Sequence, residues 1–396
     1  MRAREVRPSI FWVGALDNES PYFDQLMPLP EGTSYNAFLI KGSEKTALID
    51  SVEERFKEQL WERLRAAGIN RLDYIISNHA EQDHSGAFPD LLQRYPYAKI
   101  VCNEQCKVFL QQEHHFPDEA FHLVKDKDAL SLGDKTLRFH YTPWVHWPET
   151  MMTYAEEDRL LFTCDLFGAH LSFKELIVSS KEEVELAAKR YYAEIMMPFA
   201  KMVKKHLGLV HELSPGMIAP SHGPLYEDPS IITSLYERWT SDEVEPRVVV
   251  AYVSMHGSTK RMAEHLVWKL KERGVGAVLF DIMSADIGDV AMALINCSTL
   301  VACSPAYLGG LHPAAANLLF TINGFRPAVK VVGFMGSTGW EREAGFEQLK
   351  TLFKPANASF LEPVFIKGYP KHEEFERIDQ LALAIEQAHQ ALHPSS

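Results

Sequence analysis

Residues 78–86 read Asn-His-Ala-Glu-Gln-Asp-His-Ser-Gly, and His79, Glu81, Asp83 and His84 place four metal-capable side chains within six positions. The run Asp73 to Ser77 before them reads as a short strand, so the cluster stands where a strand ends. Further candidates occupy equivalent places downstream. His146 lies in Trp144-Val145-His146-Trp147-Pro148 after the strand expected over 136–142. Asp165 follows the apolar run Leu160–Cys164, and His222 sits in Pro220-Ser221-His222-Gly223-Pro224 after Met217–Ala219. One loop histidine or aspartate is ordinarily solvated or capping. A set of this size at successive strand exits is what a metal centre at one rim of a sheet requires.

A second group of loops has the chemistry of phosphate and ring binding. Ser254-Met255-His256-Gly257-Ser258-Thr259 follows the strand-like Val248–Val253 and leads into a helix. It lacks the Gly-Lys-Ser/Thr ending of a Walker loop and the Gly-x-Gly-x-x-Gly fingerprint. Its hydroxyls and helix-start amides suit one terminal phosphate. Pro305-Ala306-Tyr307-Leu308-Gly309 and Ser337-Thr338-Gly339-Trp340 follow the next strands expected in the same region. In each, an aromatic beside glycine offers ring contact and close backbone approach.

The 396 residues exceed what one hydrophobic core usually serves, so two domains are expected. The polar stretch Glu237–Arg247 precedes a buried-strand signal, which places the boundary between 1–245 and 246–396. The first part is strand-rich and irregular: a hairpin over 35–50, then strands near 98–102, 136–142, 150–155, 159–163 and 216–219. Helices are expected at 53–67, 87–95, 103–112 and 181–207. That mixture suits an α+β sandwich. The second part alternates strand and helix from 247 to the C-terminal helix, the rhythm of an α/β doubly wound parallel sheet whose ligands bind beyond the strand ends.

Acidic residues outnumber basic ones 53 to 40, and the net charge of −13 argues against nucleic-acid and membrane-surface binding. No run reaches the ~18 apolar residues that span a bilayer. Five cysteines without a paired framework imply no disulfides. With no signal-like N-terminus, the expected location is cytoplasmic.

The first motif resembles the His-x-His-x-Asp-His of the metallo-β-lactamase superfamily, with Glu81 in place of its second histidine. Zinc favours N and S donors, whereas mixed imidazole and carboxylate sites suit iron, so the exchange points to redox chemistry. The later loops resemble the FMN site of flavodoxins. An αββα metallo-β-lactamase-like sandwich followed by a flavodoxin-like domain resembles the flavodiiron proteins (A-type flavoproteins) over nearly the whole chain. The resemblance implies FMN and two non-haem iron ions, with reduction of dioxygen to water, of nitric oxide to nitrous oxide, or both. It assigns His79, Glu81 and His146 to one iron, Asp83 and His222 to the other, Asp165 as bridge, and His84 as a ligand of some members only. It places Tyr191 or Tyr192 at the substrate pocket. It also implies a head-to-tail homodimer, extended in some cases to a dimer of dimers. No Cys-x-x-Cys pair follows residue 360, so a separate electron donor is expected, such as a rubredoxin or a reduced deazaflavin. The alternative is a metallo-β-lactamase-type zinc hydrolase with an attached flavodoxin module; a further rival is an FMN-only electron carrier.

Overall fold

The computed structural model describes residues 2–339 and 344–393. The chain forms two compact units: the first runs to Thr240 without Ala193–Pro198, and the second holds that segment and the chain from Ser241.

The first unit contains two seven-stranded sheets. One runs in the order Arg4–Arg7, Ile10–Trp12, Phe38–Lys41, Thr46–Ile49, Tyr74–Ile76, Lys99–Cys102, Phe121–Leu123. The other runs Ala129–Ser131, Thr136–Tyr141, Met151–Ala155, Leu160–Cys164, Met217–Pro220, Leu225–Tyr226, Ile177–Val178. Period-two alternation divides the strand residues between two cores. Phe38, Ile40, Ala47, Ile49 and Ile76 join Phe139, Leu160, Phe162 and Met217 between the sheets. Leu39, Leu48 and Ile75 face the other way, onto Leu60, Leu64, Leu91 and Leu110 of the covering helices. Burial on both faces is why these strands read as unbroken apolar runs.

Parallel pairing sets the rim. Thr46–Ile49, Tyr74–Ile76 and Lys99–Cys102 are parallel neighbours, so Asp50, Asn78 and Asn103 leave the first sheet at one edge. Leu160–Cys164 and Met217–Pro220 are likewise parallel, which brings Asp165 and His222 out together. The Met151 amide donates to the Asn78 carbonyl at 3.0 Å, and the Asn36 amide to the Ser221 carbonyl at 2.8 Å, tying the loops of the two sheets.

The second unit is built on parallel strands in the order Gly276–Asp281, Glu245–Tyr252, Cys297–Tyr307, Val331–Thr338, with Ser359–Phe360 and Val364–Lys367 sharing the last edge and the short Gly310–Leu311 pairing antiparallel with the end of Cys297–Tyr307. Val248, Val250 and Tyr252 pack against Met262, Leu266 and Leu270 of Ser258–Glu272 and Ile378, Leu381 and Ile385 of Phe375–Leu392.

Three features depart from the sequence reading. The helix expected over 181–207 is broken: Glu185–Tyr191 passes through a π turn, Tyr192–Met196, before Ala200–Leu213. Pro198, which lacks an amide donor, stands at the break. Residues 304–307 and 336–338, expected as loops, extend the strands instead, because Ser304 pairs with Gly336 and Pro305 with Ser337. Helix Ser230–Trp239 and the last edge strands, Ser359–Phe360 and Val364–Lys367, are absent from the sequence reading.

Candidate functional site

Asp165 is the hub of the rim cluster, and its two oxygens face different partners. Oδ1 lies 3.2 Å from Nε2 of His84 and 3.2 Å from Nε2 of His222. Oδ2 lies 3.5 Å from Nε2 of His146 and 3.7 Å from Nε2 of His79. Glu81 Oε2 completes the second group, 3.0 Å from His79 and 3.4 Å from His146. Asp83 completes the first, 3.2 Å from both His84 and His222. All seven predicted ligands therefore converge, in two sets that share one carboxylate. Metal bonds of about 2.1 Å meeting near right or tetrahedral angles hold donors about 3.0–3.4 Å apart, close to these separations.

The electrostatics also call for cations. Asp165 and His222 are about 1% exposed, and both Asp83 oxygens and Oδ1 of Asp165 are buried without a hydrogen bond among the described residues. Bare anionic oxygens persist in an interior only beside positive charge. Burial opposes charge on Asp165, His222, His79, His84 and Glu81, yet mutual attraction wins. The charge of His84 and the approach of His222 hold Asp165 well below the carboxylate range. Close contact with Asp165 and Asp83 pushes His222 up to about 10. Glu149 and Glu81 raise His79, and the charges of Asp83 and Asp165 raise His84. Contacts with His146 and His79 keep Glu81 low.

The outward nitrogens are fixed. His222 Nδ1 donates to the Ser34 carbonyl at 2.7 Å, and His79 Nδ1 lies 2.6 Å from Glu149 Oε1, which aims each Nε2 at the cluster as the ligating atom once its proton is lost. Neither Glu149 nor Asn36 was found by sequence reasoning. Asn36 donates from Nδ2 to the carbonyls of Pro220 and Gly223 at 2.8 and 2.7 Å, clamping the His222 loop. Neither residue carries a motif, and only Glu149's place three positions after His146 was a clue.

The two tyrosines differ. The Tyr191 ring lies 5.7 Å from that of His222 and 4.8 Å from that of His170, at the cluster. Tyr192 instead donates its hydroxyl to the Trp239 carbonyl at 3.0 Å and packs between Tyr236 and Trp239. Its side chain is committed to that core, which corrects the expectation that placed it at the substrate pocket. Phe23, in the hairpin of Tyr22–Phe23 and Met27–Pro28, lies 5.8 Å from His222. A cavity of about 250 Å³ lined by Phe23, Asp24, Tyr35, Glu81, Gln82 and Asp83 reaches the cluster beside this hairpin.

In the second unit, Gly257 adopts φ +89° before helix Ser258–Glu272, with open space where a Cβ would stand. The Gly257 amide donates to Ser254 Oγ at 3.0 Å, and Thr259 Oγ1 is buried without a partner among the described residues. A free hydroxyl and helix-start amides beside open space fit a phosphate. Met255, Tyr307 and Leu308 are exposed, and His256 also faces outward. Leu308 and Gly309 turn with φ +49° and +85° at the end of the central strand. Pro305, Ala306, Ser337 and Thr338 end their strands beside one another, with Gly339 directly after; Trp340 lies outside the described residues.

A cluster of metal-capable side chains at the rim of an αββα sandwich, joined to a parallel sheet with a phosphate-type turn, defines a metallo-β-lactamase-like and flavodoxin-like two-domain protein. The comparisons agree. Residues 33–223 match the ODP family beta lactamase model and residues 250–379 the flavodoxin model. A nitric oxide reductase of Moorella thermoacetica is 33% identical, covering 96% of this chain and 97% of its own. The rubredoxin oxygen:oxidoreductase of Desulfovibrio gigas superposes with a TM-score of 0.92 at 28% identity, over 99% of this chain and 100% of its own. The flavodiiron protein of Giardia intestinalis gives 0.90 at 26%, over 99% and 98%. The chain belongs to the flavodiiron proteins.

Proposed function

We propose that this protein is a flavodiiron oxidoreductase that reduces dioxygen to water, nitric oxide to nitrous oxide, or both. The carrying observation is Asp165, whose two oxygens each face their own set of imidazole and carboxylate donors. In this reading His79, Glu81 and His146 hold one iron and Asp83, His84 and His222 the other, with Asp165 shared. Residues 1–245 carry that centre, and residues 246–396 carry FMN on the loops at 254–259, 305–309 and 337–340. Two ferrous ions and reduced FMN together supply up to four electrons.

The protein supplies positions and charge. The fixed Nε2 atoms present a preoriented ligand set, and Tyr191 and Phe23 line an apolar side of it suited to small uncharged gases. Electrons come from a separate donor, a rubredoxin or a reduced deazaflavin, and a head-to-tail homodimer, itself able to pair into a dimer of dimers, brings the FMN of one subunit to the irons of the next. Among the described residues no helix is long and apolar enough to cross a membrane. The five cysteines are free and buried, which suits the cytoplasm. The test is anaerobic reduction followed by separate exposure to each gas. Rapid consumption of at least one, with about two irons and one FMN per chain, is expected. Zinc in the site with hydrolytic turnover and no gas consumption would replace this reading by the hydrolase.

A further inference from the structure

We propose that Glu149 is a positioning residue that holds His79 in its ligating orientation and locks together the two loops supplying one half of the metal centre. The inference rests on the di-iron reading above. The Glu149 side chain is fully buried, as is that of His79, with Oε1 2.6 Å from His79 Nδ1. The same oxygen accepts the Ala80 amide at 3.1 Å, so one carboxylate grips both the ring and the backbone beside it. Nδ1 lies on the side of the ring away from the shared carboxylate, which Nε2 faces at 3.7 Å. Glu149 therefore orients a ligand without being one.

Its own placement is secured from behind. Asn103 caps helix Glu104–His114 by accepting the Cys106 amide at 2.9 Å, and its Nδ2 donates to the Glu149 carbonyl at 2.5 Å. Glu149 stands three residues after His146, in the same connection between Thr136–Tyr141 and Met151–Ala155. The helix start, the His146 loop and the His79 loop thus meet at one residue, the first through its backbone carbonyl and the last through its carboxylate. Trp147 closes the assembly edge-on to the His79 ring, with centroids 4.8 Å apart.

The charge matters as much as the reach. The second oxygen, Oε2, is buried without a hydrogen bond among the described residues. A buried anion of this kind is sustained by positive charge on the imidazole it touches. A metal held by His79 would supply that charge by making Nδ1–H a stronger donor, and the carboxylate in turn would make Nε2 a better electron donor. Glu149 accordingly strengthens metal binding at the His79, Glu81, His146 half and favours the more oxidised state there.

The full chain, stripped of metal and titrated anaerobically with ferrous iron alone, tests this through Glu149→Ala and Glu149→Gln. Glu149→Ala should weaken one of the two iron-binding steps by about 10- to 100-fold and leave the other and the FMN content near wild type. Glu149→Gln keeps an acceptor for Nδ1–H, so it should retain both irons but shift the midpoint potential of the iron centre upward. A simple loss of packing would not move that potential in a variant of equal size. Wild-type affinity for both irons in Glu149→Ala, or an unchanged potential in Glu149→Gln, overturns the inference. A wild-type chain that takes up no iron would instead overturn the di-iron reading itself.

Discussion

Replacing Asn36 by alanine should weaken the metal-binding unit and loosen His222 in the same step. Asn36 is 2% exposed and makes three side-chain hydrogen bonds: it accepts from Trp12 Nε1 at 2.8 Å and donates to the carbonyls of Pro220 and Gly223. Those two carbonyls bracket Ser221-His222. Alanine leaves all three partners buried and unpaired, at roughly 1–1.5 kcal/mol each, or about 3–4.5 kcal/mol together. For a unit of this size that corresponds to a fall in Tm on the order of 10 °C. Asn36→Asp should be worse, because it turns a carboxylate oxygen towards two carbonyl oxygens. Thermal unfolding followed by near-UV circular dichroism reads the stability, and anaerobic ferrous titration reads the site. The transition of the first unit should move while the FMN content stays constant, and the iron step involving His222 should weaken. A cost below about 1 kcal/mol for Asn36→Ala would refute the clamp, since three buried hydrogen bonds cannot vanish so cheaply.

Thr259→Val removes a buried hydroxyl that has no partner among the described residues, so FMN affinity should fall by about 10- to 100-fold with little change in iron content; fluorescence titration of the flavin-free protein measures it. Glu81→His restores an all-imidazole second position and should shift the metal retained on purification from iron towards zinc, read by elemental analysis; full wild-type iron occupancy would contradict the role given to the carboxylate. The iron-free protein should release protons on taking up ferrous iron, because ligation needs neutral imidazoles and the cluster acids hold His79, His84 and His222 protonated above their ordinary range. The affinity for iron should therefore strengthen as pH rises towards about 10, where His222 loses its proton, and a pH indicator in weak buffer detects the release.

The sequence alone determined which residue types were available and where along each strand they fell. His79, Glu81, Asp83 and His84 lie too close together, behind too clear a strand, to be missed, and Asp165 and His222 carry the same strand-exit signature. The alternation of strand and helix after residue 245 likewise prescribes a parallel sheet with its loops at one edge. Tertiary structure decided what pairing brings together. Only the parallel register of Leu160–Cys164 with Met217–Pro220 puts Asp165 beside His222, and only side-chain packing separates Tyr191, at the cluster, from Tyr192, in the core behind it. Glu149 and Asn36 were illegible for the same reason: each acts through a partner 70 or 184 residues away, and no local pattern records a contact made by folding. Ligand identity is a property of side chains, whereas ligand orientation is a property of the buried hydrogen bonds behind them, which exist only once the two sheets have met.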